Sequence, residues 1–117
     1  ELTFARIIER DPEVQNWLRP APQEFNIKYN GGKRYEPDFV VETADTIYLV
    51  EVKAERDLND PDVIAKKKRG IMYCETVTRW ADANGRKPWA YLFIPANQIY
   101  ASSTFEMLAK LFVVASC

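Results

Sequence analysis

Two short apolar runs separated by a small polar turn constrain the fold of this chain more than any other feature. The first run covers residues 35–43 and the second covers residues 47–53, with Ala44-Asp45-Thr46 between them. Both runs are rich in β-branched and aromatic residues, and the turn has the small and polar side chains that let a chain reverse. The pattern therefore predicts a β-hairpin.

Charged side chains interrupt this apolar pattern at one end of the predicted hairpin. Alternate residues of a strand share a face, so Glu51 and Lys53 are expected to lie on the same face as Ile47 and Leu49. When the two strands pair, Asp38 is expected to lie close to Glu51 and Lys53. Two carboxylates and a lysine are unfavourable at the end of an apolar sheet, and a divalent cation is the usual compensation. The alternative is a solvated hairpin in which Glu51 and Lys53 form a minor surface ion pair.

The residue types limit which metal the chain could hold. There is no histidine, and Cys74 and Cys117 are the only cysteines. Neither a disulfide framework nor a Cys/His zinc site is therefore predicted. Any metal must be held by oxygen ligands, which favours magnesium, manganese or calcium. Cys74 is expected to be a small core residue on the inward stripe of a helix.

Length and composition predict one globular domain spanning residues 1–117, with 47% hydrophobic residues. No apolar run approaches the ~20 residues of a membrane span, and no signal peptide is recognisable. We therefore expect a soluble, cytoplasmic domain with no membrane partner. Because the chain opens on Glu1 rather than on methionine, we expect it to be a C-terminal fragment of a larger protein.

Periodicity and capping signals predict the remaining elements. The expected order is helix, three strands, helix, strand and helix, which describes an α/β fold with a central mixed sheet flanked by helices. Hairpin connections make the first three strands antiparallel neighbours, and the long helix crosses back to bring in the fourth. The predicted elements are a helix over 1–10, a short helix through Val14, Trp17 and Leu18, strands over 24–29, 35–43, 47–53 and 89–94, a long helix from the Asp60 cap to Asn84-Gly85, and a last helix after the capping-box form Ser103-Thr104-Phe105-Glu106.

Pro37-Asp38 followed by Glu51-Val52-Lys53 resembles the active-site signature of the PD-(D/E)XK nuclease superfamily. That superfamily has an αβββαβ core with the aspartate at its second strand and Glu-x-Lys at the end of its third. The runs 60–66, 73–75 and 87–95 are also similar to the endonuclease domain at the C-terminus of type III restriction enzyme Res subunits and related helicase-nucleases. The resemblance implies a restriction-endonuclease-like αβββαβ core and a metal-dependent DNA endonuclease that hydrolyses phosphodiester bonds.

The resemblance also implies a set of catalytic residues. Asp38 and Glu51 would bind Mg²⁺, for which Mn²⁺ could substitute, with help from the backbone carbonyl of Val52. Lys53 would orient the attacking water or help to deprotonate it. Glu1 is a candidate ligand for a second ion, because many family members place a glutamate on the first helix. The alternative is that Glu1 lies in solvent on a frayed first turn.

Basic residues on both sides of the motif are candidates for contact with DNA. Lys33 and Arg34 lie on the turn that leads into the motif, Lys66 matches a lysine of the family pattern, and Lys67 is closer to the sheet face on a helical wheel. The formal net charge of -1 argues against a free-standing nucleic-acid binder. The resemblance therefore implies a helicase or translocase domain in the same chain, which would use ATP and grip the DNA. A modification subunit and a homodimer for double-strand cleavage are further expected partners.

Two other functions remain open at this point. The fold could serve as a nucleic-acid-binding or protein-docking module that does not cleave, or as a nuclease that acts on junctions or single strands. Trp89 and Tyr91 could stack on bases, although aromatic residues in such a strand more often belong to the core. Complete Asp38, Glu51 and Lys53 favour the endonuclease, because a binding module has no need for buried carboxylates.

Overall fold

The computed structural model describes residues 1–22 and 24–114, and Cys117 lies outside this range. Three α-helices, six β-strands and two short 3₁₀ helices occur in the described part of the chain. The helices are α1 (Leu2–Arg10), α2 (Pro61–Ala83) and α3 (Phe105–Phe112), and the 3₁₀ helices cover Glu55–Asp57 and Ala96–Gln98. The strands are β1 (Asn16–Leu18), β2 (Ile27–Tyr29), β3 (Lys33–Tyr35), β4 (Phe39–Glu42), β5 (Ile47–Lys53) and β6 (Trp89–Pro95).

A four-stranded mixed sheet in the order β1-β4-β5-β6 forms the centre of the fold. β4 pairs antiparallel with both β1 and β5, whereas β5 and β6 are parallel from Ile47↔Trp89 to Lys53↔Pro95. Parallel neighbours require a crossover, which α2 provides. The predicted α/β class, with a mixed sheet flanked by helices, is therefore confirmed.

The strand beside β4 differs from the prediction. Residues 27–29 pair with residues 33–35 in a separate two-stranded sheet, and β1 occupies the edge that was expected for them. The short helix predicted through Val14, Trp17 and Leu18 is wrong, because residues 16–18 pair with β4 instead. The Trp17 ring packs 6.1 Å from the Phe39 ring, while its two strand neighbours are exposed. Backbone partners at the open edge of β4 and this single inward aromatic outweigh the local helical pattern.

The first run of the predicted hairpin is also divided. β3 ends at Tyr35 and β4 begins at Phe39, so the two strands belong to different sheets. Pro37 lies between them and has no backbone N–H to donate to a ladder, which disfavours a continuous strand here. The second run, 47–53, forms β5 as predicted.

Each face of the central sheet is covered by an apolar cluster. α1 and α3 pack on one face, where the buried side chains include Phe4, Val50 and Phe105. α2 and the β2–β3 hairpin cover the other face, where they enclose Leu49 and Tyr91. The opposite placement of Leu49 and Val50 confirms the predicted alternation along β5.

The long helix begins and ends where its sequence signals predicted. The Asp60 side chain accepts a hydrogen bond from the backbone of Asp62, and Asn84 is the C-cap. Cys74 is fully buried, as expected. α3 has its N-cap one residue later than the capping box suggested, because the Thr104 side chain accepts from the helix backbone. In the part of the chain that is described, no helix has the length and apolar character needed to cross a membrane.

Candidate metal centre and nucleic-acid interface

Backbone contacts to β5 hold Asp38 in place. The backbone N–H of Asp38 donates to the carbonyl oxygen of Val50 at 3.0 Å, and its Oδ2 accepts from the N–H of Val52 at 2.8 Å. Asp38 therefore lies beside the end of β5, where Glu51 and Lys53 are found. The predicted convergence of these side chains is present in the structure.

Glu51 is an almost fully buried carboxylate, with 4% of its surface exposed. Its Oε1 accepts a hydrogen bond of 2.8 Å from the Tyr35 hydroxyl. Its Oε2 lies 3.4 Å from the Nζ of Lys53, whose side chain is 28% exposed. The site is thus closed around Glu51 and opens to solvent at Lys53.

Burial and mutual repulsion make it unfavourable for both Asp38 and Glu51 to be ionised at the same time. Burial raises the pKa of Glu51 to about 8, and the charge of Asp38 adds to this effect, while Tyr35 and Lys53 oppose it. Burial also raises the pKa of Asp38, against the hydrogen bond from Val52, and the charge of Glu1 adds to the rise. A divalent cation between the carboxylates would offset both effects.

Among residues 1–22 and 24–114, no group of three or more His, Cys, Asp or Glu side chains could hold a metal ion. A smaller set of oxygen donors at this site nevertheless fits a hard cation. Asp38 and Glu51 can supply two carboxylates, and Mg²⁺ typically binds through one or two carboxylates plus waters and substrate phosphates. The N–H of Val52 points towards Asp38. The N–H and C=O of a strand residue point to the same side, so the Val52 carbonyl faces the same edge.

Glu1 lies near this site but has another partner. Its Oε1 accepts from the guanidinium of Arg19 at 3.0 Å, and the side chains of both residues are about half exposed. The Arg19 guanidinium also lies 4.7 Å from the centre of the Phe39 ring, next in sequence to Asp38. Glu1 as a metal ligand stays a prediction. Arg19 adds a cation near the site that the sequence analysis did not identify.

Lys33 and Lys66 belong to one charged cluster at the start of α2. The two ammonium groups lie 3.7 Å and 3.4 Å from the carboxylate of Asp62, which also accepts a 2.9 Å hydrogen bond from the Tyr29 hydroxyl. Burial and Asp62 raise the pKa of Tyr29, whereas the charge of Lys53 lowers it. The charge of Lys53 therefore acts on this cluster.

The other predicted basic residues are placed differently. The Nζ of Lys67 lies 4.8 Å from the centre of the Phe93 ring, and Phe93 is the register partner of Glu51. Lys67 therefore lies on the same side of the sheet as the carboxylates. Arg34 follows Lys33 on β3, and successive strand residues point to opposite faces, so it is directed away from the Lys33–Asp62 cluster.

Trp89 and Tyr91 belong to the apolar core. Tyr91 is fully buried, and the partly buried Trp89 ring packs at 6.4 Å and 6.1 Å from the rings of Phe25 and Tyr73. Base stacking by these two residues would require them to be exposed. The core interpretation is therefore the correct one for Tyr91 and for Trp89.

Tyr35 is the contact of Glu51 that the sequence analysis missed. Its position depends on the β2–β3 hairpin, in which Tyr35 is the register partner of Ile27. The predicted turn position of Lys33 and Arg34 is wrong, because both lie on β3 with Tyr35. No local pattern indicated that Tyr35 approaches Glu51.

Two carboxylates, a lysine and nearby cations at one end of a sheet can hold a hard metal ion and attract a phosphate. Comparison with protein families, with curated proteins and with solved structures finds no match to this chain.

Proposed function

We propose that this chain is a metal-dependent DNA endonuclease domain that hydrolyses phosphodiester bonds, with Mg²⁺ as its ion and Mn²⁺ as a substitute. The observation that supports it is the convergence of Asp38, Glu51 and Lys53 at the end of β5. Two neighbouring carboxylates in a largely buried position are unfavourable without a cation. A purely structural hairpin has no need for them.

The order of elements is consistent with the restriction-endonuclease-like core that the resemblance implies. Without the β2–β3 hairpin, the succession α1-β1-β4-β5-α2-β6 is αβββαβ. The first three of these strands are antiparallel neighbours and the fourth is parallel to the third. The edge strand of this proposed core is β1, and the small hairpin is an insertion beside the site.

The residues have distinct roles in this proposal. A bound divalent cation would neutralise charge on the attacked phosphate and on the departing oxygen. Asp38, Glu51 and the carbonyl of Val52 hold that cation. Lys53 reaches from the buried carboxylate towards solvent, so its ammonium group can hydrogen-bond to the attacking water or to a phosphate oxygen.

Lysines next to this site would bind the DNA backbone. Lys33 and Lys66 lie at the Asp62 cluster and Lys67 lies over the Phe93 ring, and these lysines supply the positive charge that phosphate contacts require. Arg34 is a further candidate that would have to contact the DNA from the other face of β3. The formal net charge of -1 indicates that most of the affinity for DNA comes from the proposed helicase or translocase domain.

The resemblance adds partners to this proposal. The domain would be the cleavage module of a cytoplasmic type III restriction enzyme or helicase-nuclease, with an ATP-driven helicase or translocase domain in the same chain. A modification subunit would act with it, and two copies would be needed to cut both strands of a duplex.

A cleavage assay tests the proposed activity. Supercoiled plasmid incubated with the chain and Mg²⁺ or Mn²⁺ should be nicked or linearised, and EDTA should stop the reaction. Asp38→Asn and Glu51→Gln, chosen because they keep side-chain shape, should abolish cleavage while the fold is retained. If the parent protein binds DNA and Mn²⁺ but never cuts, it is a non-catalytic module instead.

A further inference from the structure

Three buried polar groups form a hydrogen-bonded chain that ends on Glu51. The hydroxyls of Tyr91 and Tyr35 lie 2.7 Å apart, and the hydroxyl of Tyr35 lies 2.8 Å from Oε1 of Glu51. Tyr91 is 0% exposed, Tyr35 is 1% exposed and Glu51 is 4% exposed. Water therefore cannot substitute for these contacts, and each group depends on the next.

The available hydroxyl protons determine which group donates each of these hydrogen bonds. When a bound cation keeps Glu51 ionised, its carboxylate only accepts hydrogen bonds, so the single hydroxyl proton of Tyr35 is donated to Oε1 of Glu51. The oxygen of Tyr35 is then the acceptor for the hydroxyl proton of Tyr91. As a result Oε1 of Glu51 is held from inside the protein, and Oε2 faces Lys53 and the opening of the site.

Separate elements hold the two tyrosines in place. Tyr35 is carried by the β2–β3 hairpin, and Tyr91 lies on β6 opposite Leu49. On α2, the residue packed against the Tyr91 ring is Gly70, where a Cβ would lie 2.4 Å from Cε1 of the ring. No larger residue fits there without moving the ring. Packing of α2, the β2–β3 hairpin and the central sheet thus fixes the orientation of the Glu51 carboxylate.

We infer that Tyr35 and Tyr91 are positioning residues that orient the carboxylate of Glu51 for a divalent cation. This inference rests on the proposed metal centre. Partners of metal ligands that lie behind the ligand itself fix its orientation, and their loss typically lowers metal affinity by about 10–100-fold. Here Tyr35 acts on Glu51 directly, and Tyr91 acts by orienting and polarising the hydroxyl of Tyr35.

Mn²⁺ titration of the whole chain by calorimetry or electron paramagnetic resonance tests the inference without any need for cleavage. Tyr35→Phe should weaken Mn²⁺ binding by about 10-fold or more. Tyr91→Phe keeps the contact between Tyr35 and Glu51 and should weaken binding by a smaller factor, about 3-fold. Tyr48→Phe is the matched control, because Tyr48 lies on the same strand as Glu51 but packs against the opposite cluster. Its Mn²⁺ affinity should equal that of the parent.

A structural role and a positioning role give different results. If Tyr35→Phe lowers the melting temperature but binds Mn²⁺ as the parent does, the inference is overturned. If Tyr35→Phe does not fold, Tyr91→Phe decides, and parental Mn²⁺ affinity in that variant overturns the inference. Glu51→Gln tests the metal centre separately from the positioning role of the tyrosines. If Glu51→Gln binds Mn²⁺ with the parental affinity, the metal centre itself is contradicted. If Glu51→Gln loses Mn²⁺ binding but the two tyrosine variants keep the parental affinity, only the positioning role is contradicted.

Discussion

The carboxylate of Asp38 accepts a hydrogen bond from the backbone N–H of Val52, with 2.8 Å between Oδ2 and the nitrogen. Asp38 precedes β4 and Val52 lies near the end of β5, so this contact joins two neighbouring strands next to Glu51. The carbonyl of Val52 points to the same side as its N–H. One hydrogen bond therefore sets the positions of two of the three proposed oxygen ligands.

Removal of the Asp38 carboxylate should abolish the metal site. In Asp38→Ala, only one carboxylate and a backbone carbonyl remain, which is a poor donor set for Mg²⁺ or Mn²⁺. Calorimetric titration with Mn²⁺ should show no binding in this variant. Asp82→Ala, which removes an exposed acid on α2, should bind like the parent. Unchanged Mn²⁺ binding in Asp38→Ala would show that the site is assigned wrongly.

Lys53→Met should separate chemistry from folding. Methionine keeps most of the apolar stem and deletes the charge, so the fold and the Mn²⁺ affinity should be retained. Loss of a positioned proton-transfer or electrostatic group should slow single-turnover cleavage by ~10²-fold or more. Lys110→Met, on the exposed side of α3, is the matched control and should cut at the parental rate. A stable Lys53→Met protein that cuts as fast as the parent would rule out the proposed role of Lys53.

Neutralising two lysines of α2 should reduce the salt dependence of DNA binding. Removing one phosphate-binding lysine lowers the log-log slope on duplex DNA by ~0.9, so Lys66→Ala, Lys67→Ala should reduce it by up to about twice that amount. The double variant Lys68→Ala, Arg79→Ala removes two charges from elsewhere on the same helix. Its slope should stay close to that of the parent. Equal slopes for the two double variants would remove Lys66 and Lys67 from the DNA interface.

The metal-free protein should lose stability as the pH rises from 4.5 to about 8. The pKa of Glu51 is raised from 4.5 to about 8 by burial and by Asp38. The folded state therefore holds this proton more tightly than the unfolded chain, so the resulting stabilisation is complete below pH 4.5, declines as the pH rises from 4.5 to about 8, and is gone above about 8. The loss should amount to roughly 5 kcal/mol of unfolding free energy, because it accumulates at about 1.4 kcal/mol for each pH unit between 4.5 and about 8.

Urea denaturation in EDTA between pH 5 and pH 9 measures this effect, over a range chosen around the shifted pKa. Glu51→Gln cannot ionise, so its unfolding free energy should fall less than that of the parent over the same range. Saturating Mg²⁺ should restore stability to the parent at the alkaline end, because the cation binds the ionised carboxylate. If the unfolding free energies of the parent and Glu51→Gln changed with pH in the same way, the raised pKa of Glu51 would be wrong.

Gly70→Ala should destabilise the fold, because the added Cβ would lie 2.4 Å from Cε1 of Tyr91. Overpacking of this kind typically lowers the free energy of unfolding by about 1–3 kcal/mol, and the higher helix propensity of alanine returns part of that. Glu75→Ala, at an exposed position on the same helix, should stay within about 0.5 kcal/mol of the parent. Urea denaturation measures both, and a Gly70→Ala protein as stable as the parent would show that the Tyr91 ring can move.

Local patterns in the sequence were sufficient for several parts of this structure. Proline after an aspartate cap marked the start of α2, and alternation along β5 placed Glu51 and Lys53 on one face. These features depend on residues within a turn or two of each other, so the sequence carries them directly. The approach of Asp38 to Glu51 was also predictable, because a short connection makes consecutive strands neighbours.

Other features were decided only by tertiary structure. The segment 16–18 has too few residues for a clear period, and it became a strand because the edge of β4 offered backbone partners. Tyr35 reaches Glu51 only because the β2–β3 hairpin folds over the face of the central sheet, and Asp62 joins Lys33 of that hairpin to Lys66 of α2. Such contacts arise from packing between elements distant in sequence, which no local period or cap encodes. Placing Asp38 near Glu51 thus required only the sequence, whereas the hydroxyl that orients Glu51 was set by packing of the whole fold.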